Sequence, residues 1–205
     1  MIEKIAYNLG RRDEEPNIEL ADEIIRNGGS GIDEIADGLD SPDRNVANDC
    51  IKVLYEVGRK KPELISVYAG KFLKLLNSGN NRLIWGAMMA VSQVVKENSG
   101  LIFNNLELIK NTYKNGSVIT VDYSISIFAE LCTCDGKYEK EIFPFLMNHL
   151  KTCRPKEVAQ HAERMLVCIN KKNADDFSAV LKGRYGMLTD TQKKRIDKLF
   201  RTIQK

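Results

Sequence analysis

Shifted against itself by about 37 residues, the sequence repeats its pattern of apolar side chains, and a period of that length points to an array of helical pairs. The stretch from Asn80 to Glu97 sets the pattern. Ile84, Ala87, Met88, Val91 and Val95 fall at steps of three and four, which places them on one face of a helix. In register with Ile84 stand Ala47, Val121 and Val158; with Met88 stand Ile51, Ile125 and Ala162; with Val91 stand Leu54, Phe128 and Met165. The preceding segment repeats in the same way. Ile32, Ala69, Leu106 and Phe143 form one column, Ile35, Phe72, Ile109 and Leu146 a second, and Leu39, Leu76, Tyr113 and Leu150 a third. Four helix-turn-helix units are therefore expected, over roughly 31 to 59, 62 to 98, 100 to 133 and 137 to 170. One unit alone presents a stripe that it cannot cover, so neighbours must stack to complete the core.

Local signals supply the punctuation. Ser41 reads as a helix cap with Pro42 at the first helical position, and Pro62 begins a helix that ends near Leu76. Asn98-Ser99-Gly100, Asn115-Gly116-Ser117 and Asp135-Gly136 read as turns. The run from Val118 to Ile127 is rich in branched residues and taken alone could be a strand. The repeat register requires a helix there. Residues 1–30 read as an N-terminal cap, with Ile2, Ile5 and Leu9 on one apolar edge and Ile18, Ala21, Ile24 and Ile25 on another after Pro16. Between them Arg11-Arg12-Asp13-Glu14-Glu15 reads as a solvated turn, and Gly28-Gly29-Ser30-Gly31 as the end of the second helix. Beyond residue 170 the register loosens into a degenerate repeat or cap over 171–205. Phe177, Val180 and Leu181 mark one helix there, and Ile196, Leu199, Phe200 and Ile203 a last one opened by Thr189 or Asp190.

The column residues, together with the turn-plus-helix segments Asp40-Ser41-Pro42-Asp43-Arg44 and Ser78-Gly79-Asn80-Asn81-Arg82, resemble the HEAT-type (armadillo-like) helical repeat family over most of the chain. The third and fourth units depart from the family's Arg, with Gly116-Ser117-Val118 and Cys153-Arg154-Pro155 instead. The resemblance implies an all-α, α-α superhelix, a solenoid of about four HEAT-like hairpins with terminal caps, forming a single elongated domain over 1–205. It also implies scaffolding and protein recognition, with no shared catalytic residues.

Composition agrees with that expectation. The 205 residues, 43% apolar, suffice for a sizeable core, and the few prolines and glycines fall mostly between the proposed helices. The start, Met1-Ile2-Glu3-Lys4-Ile5, has no signal-peptide pattern, and no apolar run approaches the roughly 18 residues of a membrane helix. Five cysteines suit a reducing compartment, so a cytoplasmic location is expected.

Charge is unevenly distributed: residues 1–40 carry a net −7, residues 41–136 a net +2 and residues 137–205 a net +8. Lys193, Lys194, Arg195, Lys198 and Arg201 form a basic patch on the last helix, where an acidic protein, nucleic acid or the acidic cap of a like chain could bind end to end. The second helix of each pair lines the concave side in HEAT-like arrays. Its positions facing away from the core include Asn45, Asp49, Lys52 and Glu56 in the first unit. Later units place Arg82, Met89, Tyr123, Glu130, Lys156 and Gln160 on the same strip, with Trp85 beside them. These residues are the expected partner-binding surface for a protein or peptide, since aromatics and methionine are common interface anchors.

No catalytic residue, cofactor or metal site is expected. The nucleophile elbow, the HExxH helix, the Walker loop and the dinucleotide fingerprint are all missing from the sequence. His149 and Cys153 have metal-ligand spacing on a helix, and Cys132 with Cys134 lies one unit away, but C-x-C is not the paired spacing of strong zinc motifs. Buried thiols are the expected role, and His161, at the core edge in register with Cys50, Ala87 and Ser124, is expected to be a hydrogen-bonded packing residue. The leading function is a non-catalytic interaction scaffold. The alternatives are nucleic-acid binding through the basic C-terminal half, or an enzyme resembling the helical-repeat DNA glycosylases, for which Trp85 and Asp122 are the candidate residues.

Overall fold

The computed structural model describes residues 1–203, all helices, turns and loops with no strand among them. Among the described residues thirteen α-helices follow one another: α1 (Glu15–Arg26), α2 (Ile32–Asp37), α3 (Arg44–Lys60), α4 (Pro62–Ile65), α5 (Ala69–Leu75), α6 (Asn81–Gln93) and α7 (Ser99–Asn104). The remainder are α8 (Leu106–Asn115), α9 (Val118–Cys134), α10 (Gly136–Thr152), α11 (Pro155–Met165), α12 (Ala174–Arg184) and α13 (Asp190–Ile203). The branched run at 118–127 is helical. Its local strand preference loses to the burial of Ile125, Ile127 and Phe128 along α9.

The chain forms two compact units, one from Met1 to Ser124 and one beginning at Ile125. In the first, α3 packs against α1 on one side and α6 on the other, while α2, α4 and α5 lie against this row. Gly86 permits the close approach of α3 and α6, because a Cβ there would sit 2.8 Å from Ile51 Cγ1. In the second unit α11 packs against α13, and α10 against α12. Of the six apolar columns, every member is buried except Ile84, Tyr113, Val121 and Phe143, which are half-buried. Each fully buried Leu, Ile or Phe side chain contributes about 1.5–3 kcal/mol.

The helix caps repeat with the columns. Asp43, Asn80 and Ser117 each accept a backbone N–H two or three residues on, opening α3, α6 and α9. The N-cap of α3 is thus Asp43 and not Ser41. Ser41 Oγ instead accepts the N–H of Asp43, and Pro42 precedes the cap, because a carboxylate answers the positive helix end more strongly than a hydroxyl. Pro62 does begin a helix, but that helix breaks into α4 and α5 around a 3-10 turn at Ser66–Tyr68. Gly28, Gly29 and Gly31 take φ values of 65°, 93° and 84° after α1, the left-handed backbone that glycine tolerates. The last helix opens with a reciprocal capping box: the Thr189 N–H donates to Gln192 Oε1 at 2.9 Å and the Gln192 N–H to Thr189 Oγ1 at 3.4 Å.

Candidate functional site

The face of α3 turned away from the columns is covered, contrary to the expectation of an open strip along every second helix. Asp49, Lys52 and Glu56 are all buried. The N-terminal segment lies over them: the Tyr7 N–H donates to Asp49 Oδ2 at 2.8 Å, and Lys52 Nζ lies 2.8 Å from Glu14 Oε2 and 2.8 Å from Glu56 Oε1. Glu14 also reaches Arg82, at 3.2 Å. The charged run at residues 11–15 is exposed, as a solvated turn should be, but from it Glu14 reaches across to Lys52 on α3 and Arg82 on α6. A helical period assigns faces, but it cannot say which nonrepeating segment will fold across them.

The other strip residues divide by accessibility. Met89, at 7% exposure, is buried, which removes it from the surface; α6 carries a continuous buried run from Gly86 to Val91. Trp85 is half-buried, its ring 6.1 Å from that of Tyr55 at a tilt of 47°. Arg82 and Tyr123 are also half-buried. In the second unit Glu130 and Gln160 are half-buried and Lys156 is exposed, its carbonyl accepting from Gln192 Nε2 at 3.3 Å.

The basic patch on α13 is smaller than its sequence suggests. Arg195 is engaged with Glu163 through two contacts of 2.8 and 2.6 Å, which hold the Glu163 carboxyl below its ordinary range. Lys193 lies 5.8 Å from the centre of the Tyr185 ring and 3.7 Å from Asp190. Lys194, Lys198 and Arg201 are exposed.

One cluster joins residues that the sequence kept apart. His149 on α10, Cys153 at its C-terminal end and His161 on α11 place their ligand atoms within 4.8 Å of one another. His149 Nε2 and His161 Nδ1 are 2.8 Å apart, one donating and the other accepting, and both side chains are buried. Cys153 is half-buried, and burial pushes its thiol up to about 11 against the opposing pull of Arg184. Cys132 does not join this group. Its interaction with the Cys168 thiol, together with burial, drives its own thiol far above the ordinary range. The i, i+4 spacing of His149 and Cys153 was visible in the sequence. The third member is found only when the turn at Cys153-Arg154 folds α11 back along α10.

Among the described residues no helix is long and apolar enough to cross a membrane. No family model and no curated protein matches the chain. A crystal structure described as that of an engineered protein is similar, with a TM-score of 0.67 and 17% identity, covering 99% of this chain and 96% of that one. At that identity the likeness shows the fold alone, an all-α arrangement of helices packed against each other.

Proposed function

We propose that the chain is a cytoplasmic, HEAT-type helical repeat scaffold, a solenoid without catalytic activity that binds a protein or peptide along the second helices of its repeats. Support for the repeat assignment comes from the recurrence of both buried columns and helix caps at one spacing. The observation that carries the binding reading is Trp85. It is the chain's only tryptophan, braced by Tyr55 yet half-open, with Arg82 one turn before it on α6. A braced aromatic beside a guanidinium is the composition of an interface anchor, with little side-chain entropy left to lose on binding.

Peptides selected from a random library against the purified chain test this. Trp85→Ala is expected to weaken the best of them about 30-fold, the effect of losing an anchor worth about 2 kcal/mol. Circular dichroism should show an unchanged helical spectrum. Selected peptides that bind Trp85→Ala and Arg82→Ala as tightly as the parent chain would remove the proposal.

A second reading, nucleic-acid binding, is favoured by the exposure of Lys194, Lys198 and Arg201 on α13. Three phosphate contacts to a duplex give a slope of log K against log salt of about −2.7, and Lys198→Glu should flatten it by about one unit. Gel-shift titrations across salt concentrations check it, and a slope indifferent to that substitution rejects it.

A further inference from the structure

We propose that His149, Cys153 and His161 form a binding site for a zinc-class divalent transition-metal ion, held across the hairpin of α10 and α11 with a fourth position left for water. The sulfur and imidazole donors are the types that such ions select over oxygen-seeking calcium or magnesium. Distance supports the assignment. Two nitrogens bound to tetrahedral zinc at about 2.0–2.1 Å lie about 3.3 Å apart. His149 Nε2 and His161 Nδ1 already face one another at 2.8 Å. Opening that pair by about half an ångström makes room for the ion between them, and Cys153 Sγ lies within the same 4.8 Å cluster.

The setting also suits a cation. His149 and His161 are buried at 4% and 0% exposure, so the rings are fixed by packing before any ion arrives. Cys153 is half-buried and sits in the turn, which gives the ion a route from solvent and the thiol proton a route out. Glu157, one helical turn before His161, interacts electrostatically with both His161 and Cys153. It adds negative charge beside the site and is itself held by Arg154. Arg184 acts in the opposite sense, since its guanidinium donates to the Cys153 carbonyl at 2.6 Å, but that cation also favours the thiolate the metal requires. All three donors come from one hairpin, so binding closes only a short loop.

A buried imidazole pair that merely packs, with a bystander thiol, is the competing account. Cobalt(II) titrated into the reduced, chelator-treated full chain separates the two. The proposal expects one equivalent to bind with a thiolate-to-cobalt charge-transfer band and the strong visible bands of a tetrahedral site. Cys153→Ser should abolish the charge-transfer band and weaken binding by about tenfold or more, whereas Cys134→Ser, a half-buried thiol outside the cluster, should leave both unchanged. X-ray absorption on the zinc-loaded parent chain needs no variant to fold, and should find one sulfur and two imidazole nitrogens. The absence of a charge-transfer band in the parent chain, its survival in Cys153→Ser, or a zinc shell without sulfur would each overturn the proposal.

Discussion

Replacing Lys52 with methionine is expected to destabilise the chain by about 3 kcal/mol, although a methionine stem fills much of the same space. Lys52 is 6% exposed and Glu56 is 4% exposed, so each was taken out of water on folding. The ammonium is held by Glu14 and Glu56 and lies 5.0 Å from the centre of the Tyr55 ring. Without it, among the described residues Glu56 keeps Arg59, at 3.2 Å, and Glu14 keeps Arg82. The cost comes from leaving a buried carboxylate short of a partner more than from the loss of an attraction. That distinction is measurable. In the double variant Lys52→Met with Glu56→Leu most of the loss should return, because an apolar pair in place of a buried ion pair is often neutral. Urea denaturation of the parent, both single variants and the double gives the cycle. Losses that simply add would show that the buried charges are not the cause.

The same residue makes a prediction about alkaline pH. Burial opposes the charge on Lys52, but the hydrogen bonds to Glu14 and Glu56 outweigh it and raise its pKa above the ordinary 10.5. A raised pKa on a basic group means that its stabilisation is complete below the unfolded value and fades as pH climbs from there towards the folded one. Between about pH 10.5 and 12 the stability of the parent chain should therefore fall more steeply than that of Lys52→Met. Comparing the two slopes cancels the titration of lysines and tyrosines away from Lys52, but not that of Tyr55, whose hydroxyl feels the Lys52 charge.

The contact of Glu14 with Lys52 also marks where reading the sequence stopped. Helical periodicity located the buried faces of α3, α6, α9 and α11, since a stripe at steps of three and four can be satisfied only by packing. It could not foresee that Glu14 would cover Lys52, because residues 1–14 belong to no repeat and their contacts follow from tertiary placement alone. Met89 illustrates a second limit. It stands in register with Lys52, Ser126 and Glu163, and that polar column suggested exposure, yet α6 is buried around most of its circumference. The Asp43 cap was legible in principle, as the residue one period before Asn80, but the Ser-Pro signal two positions earlier obscured it. For the imidazole pair, twelve residues separate His149 from His161, and only the hairpin geometry makes them neighbours.

Phe128→Ala should carry a large cost, about 4 kcal/mol, and it separates what the repeat register says from what packing adds. By register alone Phe128 and Phe143 are equivalent, each the aromatic member of an apolar column. In the structure they are not. Phe128 is fully buried and meets Phe145 edge to face, with ring centres 5.2 Å apart at 78°. Phe143 is half-buried and borders an open groove with Pro144, Met147 and Val180, so solvent and neighbouring side chains can fill the space that its removal leaves. A cavity that cannot collapse costs more than the transferred surface alone, whereas truncation at a groove edge costs about 1 kcal/mol. Chemical denaturation of the two alanine variants should thus differ by about 3 kcal/mol. Equal losses would mean that the register, and not the local packing around α9 and α10, governs the stability of the second unit.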